Sequence, residues 1–146
     1  MIRRSKTRER QRGAVLVEFA LVSALLCLLL FGIIEMGLLF QDQAEVSQAA
    51  REAARSAAIG DSTATAKGHA VSAGVGLSLV SGSVTLETSA DSGTTWAALG
   101  DSGTANSAAT GSLIRATVAY AHPLVTSYVF AGGHKTLTSK MVMRRE

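Results

Sequence analysis

Gly13-Ala14-Val15-Leu16-Val17-Glu18-Phe19 opens the stretch that decides the fold. From Ala14 to Phe40 nearly every residue is apolar or small, and only Glu18 and Glu35 carry charge. The uncharged interior, Phe19 to Ile34, falls short of the roughly 20 residues that cross a bilayer as a helix. Adding Ala14–Val17 and Met36–Phe40 makes the run long enough. Arg3, Arg4, Lys6, Arg8, Arg10 and Arg12 precede it, against Glu9 alone. Lys and Arg beside a membrane helix stay on the cytoplasmic side. The expected topology is a cytoplasmic N-terminus, one span, and Gln41–Glu146 outside.

A basic start and an apolar run also describe a cleaved secretory signal. Its apolar core is about 7–15 residues, followed by small residues at the cleavage site. Here the run is longer, passes into a helical pattern, and has its small residue in front, at Gly13. A glycine with glutamate five positions on and Phe19 next, where a basic leader meets an apolar helix, resembles a type IV prepilin processing site. The strings Arg12–Leu21, Phe31-Gly32-Ile33-Ile34-Glu35-Met36-Gly37 and Ala49-Ala50-Arg51-Glu52-Ala53-Ala54-Arg55 resemble the TadE-like family. Its members are minor pilins or pseudopilins of tight-adherence (Flp, type IVb/IVc-like) pilus systems. Ala14 stands where many pilins have phenylalanine. The resemblance implies cleavage after Gly13 by a prepilin peptidase, with Ala14 as the new N-terminus. It also implies a role for Glu18 and Phe19 in subunit assembly. The implied partners are other pilins and pseudopilins, the peptidase, the inner-membrane assembly platform and membrane lipid. The implied location is the cytoplasmic membrane or a surface pilus.

The residues are compatible with those roles. A carboxylate one turn inside an apolar run is costly unless paired, which makes Glu18 a functional candidate; otherwise it lies in the headgroup zone. Cleavage would create an α-ammonium at Ala14 that Glu18 of another subunit could neutralise. Glu35, near the far end of the run, is expected to reach the outer interface. Gly32 and Gly37 around it permit close helix approach and packing with a partner helix.

Gln41–Ile59 continues the helix without a breaker. Val46, Ala49, Ala50, Ala53 and Ala57 recur at helical spacing as a small-residue face. Glu52 and Arg55 form a favourable pair three apart on the other side. Gly60 is a stop, and Asp61 or Ser62 a cap for a short helix over Thr63–Ala73. At about 1.5 Å per residue, Ala14–Ile59 would be ~70 Å long. Alternation marks strands at Ser83–Thr88, Leu113–Ala121 and Thr136–Arg144. Ile114, Ala116, Val118 and Tyr120 share one face, as do Leu137, Met141 and Met143. Gly100–Gly111 reads as a mobile polar loop, and Leu124–Phe130 as an apolar connection before a Gly132-Gly133 turn. The predicted fold is α+β and pilin-like: a long N-terminal helix with a small antiparallel sheet on its outer half. Its parts are a leader (1–13), a membrane half (14–40), an outer helix half (41–60) and an outer domain (61–146).

Ser89-Ala90-Asp91-Ser92-Gly93-Thr94-Thr95-Trp96 resembles the Asp-box, a structural β-hairpin turn. Asp91 is expected to accept backbone N–H bonds, Gly93 to supply a positive φ, and Trp96 to pack back on the hairpin. A sialidase would need a far longer chain and an arginine cluster. Gly100-Asp101-Ser102-Gly103 resembles a serine-protease nucleophile motif, but the chain is too short for that double barrel. His69, His122 and His134 lack metal-ligand spacing, and no phosphate loop or CxxC is present. No enzyme activity, metal or cofactor is expected. The net charge of +3 comes from the basic leader, the chain after Gly13 being slightly acidic, so the pI near 9.4 does not point to nucleic acid. The single cysteine, Cys27, lies within the apolar run and cannot form an intrachain disulfide. The competing reading is a single-pass anchored adhesin or binding module presenting the Asp-box hairpin.

Overall fold

Nothing between Ser5 and Ile59 interrupts a helix, since the one proline of the chain is Pro123. A computed structural model describes residues 5–125 and 133–146, with helix α1 over Ser5–Ile59. The leader is thus helical from Ser5; Lys, Arg, Glu and Gln are good helix formers. The chain divides at Gly37/Leu38 into two units. In the first, the described side chains of α1 are almost all exposed, including Val15, Leu16, Leu21, Leu25, Leu29 and Ile33. Helix Gly13–Ile59 is long and apolar enough to cross a membrane, and its most apolar window buries nothing within the chain.

The second unit, Leu38–Glu146, is α+β. After α1 come α2 (Thr63–Ala73), a 3-10 turn (Ser81–Ser83), β1 (Val84–Ser89), β2 (Ala97–Ala98), β3 (Asp101–Ser102), β4 (Ala105–Asn106), β5 (Leu113–Pro123) and β6 (His134–Arg144). The main sheet is antiparallel in the order β2-β1-β5-β6, and β3-β4 form a separate hairpin. Register pairs Leu86 with Ala116 and Tyr120 with Leu137. The inner sheet face, Val84, Leu86, Ile114, Ala116, Val118 and Leu137, packs with Val46, Ala49, Ala50, Ala53, Ala54 and Ala57 of α1 in one core. Ala66 and Ala70 of α2 join the same cluster, and Met141 and Met143 pack at its margin. Alanines on the helix let the sheet approach closely, but they bury little area each at about 25 cal/mol per Å². The largest fully buried side chains are only Ile114, Val46, Val84, Val118 and Ser56.

Polar clamps at the end of α1 supplement this small-residue core. Gly60, at φ +107°, closes the helix: its N–H donates to Ala57 O at 3.1 Å, and Asp61 N–H to Ser56 O at 3.2 Å. That pair of bonds is a Schellman closure, which favours glycine at the left-handed position. Ser62 caps α2, accepting from Thr65 N–H at 3.2 Å. Gly100–Gly111, expected to be a mobile loop, instead carries β3-β4 and is fastened to both helices. Asn106, 4% exposed, donates from its amide to Ala57 O and Asp61 O, each at 2.8 Å. Asp101 accepts from Thr63 N–H and hydroxyl, each at 2.6 Å. Arg145 donates to Ala58 O at 3.1 Å, as does the backbone N–H of Glu146. Residues 126–132 of the expected apolar connection and turn lie outside the described residues.

Because Asn106 satisfies carbonyls at a buried helix end, Asn106→Ala should cost the second unit about 1–3 kcal/mol. Thermal unfolding of the detergent-solubilised full chain should show the midpoint falling by about 4–8 °C per kcal/mol for a unit of this size. The exposed control Thr138→Ala should stay within about 0.5 kcal/mol of wild type. Equal midpoints for the two variants would show that Asn106 does not clamp the helix.

Candidate functional site

The sequence places its candidate residues in two separate groups. The first is on α1. Gly13, Ala14, Glu18 and Phe19 are exposed, with Phe19 at 69%. Ala14 and Glu18, four apart on a helix, share one face. A Cβ built on Gly32 or Gly37 meets nothing within 4 Å, so both positions are open to a neighbouring helix. Glu35 is 7% exposed, the one buried residue among the described side chains before Leu38.

The second group is the hairpin between β1 and β2. Ser89 is buried; its hydroxyl donates to Asp91 Oδ1 at 2.6 Å and accepts from Gly93 N–H at 2.9 Å. Asp91 accepts from Thr95 N–H at 2.9 and 3.0 Å and from the Thr95 hydroxyl at 2.6 Å. Ser92 (φ 60°) and Gly93 (φ 95°) make the left-handed turn that brings these donors round. The Ser89 hydroxyl first, then the Thr95 donors, hold the Asp91 carboxyl far below the usual carboxylate range. These bonds to the carboxylate all close inside the loop. The loop as built is a fastening, with no reacting group presented.

Trp96 is half-buried and stacks on Arg115, whose guanidinium carbon lies 4.1 Å from the ring centroid. Arg115 in turn forms an ion pair with its cross-strand neighbour Glu87 at 2.6 Å. The hairpin is therefore tied to the outer face of β5 through a cation on an aromatic ring, a partner that the local motif does not specify.

Two further contacts escaped the sequence pattern. His122 Nδ1, at the end of β5, is 2.6 Å from Asp42 Oδ2 on α1, and both side chains are largely enclosed. Glu45 accepts from Gly76 N–H at 2.9 Å, fastening the loop after α2 to α1. Burial, followed by the negative charges of Asp42 and Glu45, raises the Tyr120 hydroxyl above its ordinary value. The Glu52–Arg55 pair on the opposite helix face is formed, at 2.5 Å. Its hydrogen bond from Arg55 lowers the Glu52 carboxyl. Among the described residues, no group of three or more His, Cys, Asp or Glu is arranged to hold a metal ion.

Residues 13–55 match the family model for TadE-like protein. No curated protein and no solved structure matches the chain.

The Asp91 bonds set a sign for acid behaviour. A carboxyl whose folded value is depressed adds stability that is complete above its unfolded value, near 3.9, and is lost as pH falls toward the folded value. Wild type should therefore lose stability below about pH 4 through Asp91, and Asp91→Asn should show a flatter acid limb. Side-chain carbon shifts of Asp91 followed by NMR should stay those of a carboxylate through pH 4. A midpoint at the ordinary value would mean that the loop bonds do not hold the charge.

Proposed function

We propose that the chain, whose residues 13–55 match the family model for TadE-like protein, is a minor pilin or pseudopilin of a tight-adherence pilus, processed after Gly13. The observation that carries this is where the family match begins. It starts at Gly13 itself, the residue a prepilin peptidase would cut behind, and runs through the helix to Arg55. The TadE-like family is a structural, pilin-type family. The fold supports the reading: a long apolar N-terminal helix whose outer part forms the core of a small antiparallel sheet domain.

In this reading the leader orients the chain with its N-terminus in the cytoplasm and marks it for the peptidase. Removal of residues 1–13 leaves an α-ammonium at Ala14. Glu18 of a neighbouring subunit neutralises it in the low-dielectric core of the assembly, where an unpaired charge is costly. Phe19, 69% exposed in the single chain, is covered there by other helices. Gly32 and Gly37 take the close helix contact, and Glu35 belongs to the same segment. The partners are other pilins and pseudopilins, and the assembly platform. The anchored-adhesin alternative gains nothing from the hairpin, because Asp91 is consumed by its own loop.

The mature N-terminal residue, read by mass spectrometry from cells with an active prepilin peptidase, should be Ala14. Gly13→Leu should leave a full-length membrane-held precursor. An intact leader on wild-type protein would end the pilin reading. Glu18→Gln should be cleaved nearly as wild type, yet cross-link to partner pilins at a sharply lower yield; Glu35→Gln should lose much less. Normal assembly of Glu18→Gln beside failure of Glu35→Gln would assign the essential carboxylate to the other end of the apolar run.

A further inference from the structure

The main sheet has two unlike edges. β2 closes one with two residues, Ala97–Ala98, whereas β6 forms the other with 11, His134–Arg144, paired to β5 alone. Short or covered edge strands are the usual protection against strand addition, and β6 is neither short nor covered by another strand. The phase of its hydrogen bonds shows which groups are left over. Arg145 N–H donates to Ser112 O at 2.8 Å, so the pairing runs on past Arg144. Residues of an antiparallel pair alternate between facing the partner strand and facing away. Met143, Met141, Ser139 and Leu137 therefore bond to β5, while Thr138, Lys140, Val142 and Arg144 turn their N–H and C=O groups to the open side. The β1 side gives the same phase. Leu86 O accepts from Leu99 N–H at 3.0 Å, away from β5, which leaves Ala116 facing Met141. No hydrogen bond from another described residue reaches the open side of Thr138–Arg144.

The side chains along this edge define what can join it. On the solvent face of the sheet Thr138, Lys140, Val142 and Arg144 are exposed; on the core face Leu137 is buried and Ser139, Met141 and Met143 are half-buried. Met141 and Met143 pack at the margin of the core, so an added strand would extend that apolar margin. Lys140 lies opposite Thr117 and Arg144 opposite Leu113, and neither has an ion pair among the described residues. From His134 to Arg144 the strand carries no carboxylate. A second copy of β6 on this edge would gather the lysines and arginines of both copies on one small surface, which is unfavourable. Lysines on an edge strand discourage self-pairing in this way. The edge remains open to a strand of opposite charge.

We propose that the free edge of β6 receives an extended segment of a different protein as a further strand of the sheet, and that this segment alternates acidic and apolar side chains. Main-chain bonds supply affinity and alternate side chains supply selectivity in such an addition. The segment's backbone meets the outward N–H and C=O groups of Thr138, Lys140 and Val142. Its acidic side chains face Lys140 and Arg144, and its apolar ones cover Met141 and Met143. The inference lies wholly within the second unit and stands whether or not the chain is cut after Gly13.

The test uses the detergent-solubilised full chain and a synthetic peptide, as long as β6, that alternates glutamate and valine. A peptide alternating lysine and valine, and a block peptide with the glutamate–valine composition, are the controls. Amide exchange read by NMR should slow about tenfold or more at Thr138, Lys140 and Val142 with the alternating acidic peptide. Ser139 and Met141, already bonded to β5, should change little. Lys140→Glu should weaken that peptide about tenfold, since like charges then meet. Val142→Pro removes one outward N–H at an edge position where proline is tolerated, and should abolish binding while the melting midpoint stays near that of wild type. No slowing at the three amides overturns the proposal, as does equal binding of either control peptide. Slowing at the same amides without peptide, rising with protein concentration, overturns the choice of partner and assigns the edge to a second copy.

Discussion

The second unit depends on one close contact, the alanine face of α1 against the inner face of the β1-β5-β6 sheet. Ala49, Ala50, Ala53, Ala54 and Ala57 have no side-chain length with which to reach a distant partner. The sheet must come to them, and Ala116 at the centre of β5 permits it. Such a contact gains dispersion from many short approaches, but it buries little area per residue. It also tolerates little enlargement, since added methylenes in a packed core force backbone shifts.

That constraint explains the polar fastenings around the core. Asn106, Asp101 and Arg145 each reach from a late segment of the chain to the end of α1 or the start of α2. They satisfy carbonyls and N–H groups that a helix terminus leaves open. Asp42–His122 and Glu45–Gly76 act at the other end of the outer helix half. The sheet is thus pinned along α1 at two levels, with the alanine face between them. With a single cysteine, Cys27 in the apolar run, no intrachain disulfide could replace these bonds.

Whatever has a period was legible in the sequence. The helix repeat of α1, the Thr63–Ala73 helix with Asp61 or Ser62 as its cap, and the alternation of β1, β5 and β6 are all local signals. Gly60 announced the helix end. The motif residues Ser89, Asp91 and Gly93 announced a tight turn, because their bonds close within the loop. What escaped were pairings across large sequence distance: Asn106 with Ala57, His122 with Asp42, Arg115 beneath Trp96. A polar loop such as Gly100–Gly111 looks the same in sequence whether it is free or hydrogen-bonded to a helix end. Glu35 is a related case. Its position near the end of an apolar run suggests an exit to water, yet its side chain is 7% exposed.

The switch along α1 from leucine before Phe40 to alanine after it bears on how the chain is made. The sheet residues that cover Val46–Ala57 lie downstream, from Val84 onward. The outer helix half therefore leaves the ribosome well before its cover, and long-range pairings of this kind form late. A leucine-rich face exposed at that stage would attract other unfinished chains. An alanine face backed by Gln48, Glu52 and Arg55 on the other side of the helix is weakly apolar. It waits uncovered with little risk. The side chains that set the sheet's close approach in the finished unit thereby also keep the uncovered helix weakly adhesive during synthesis.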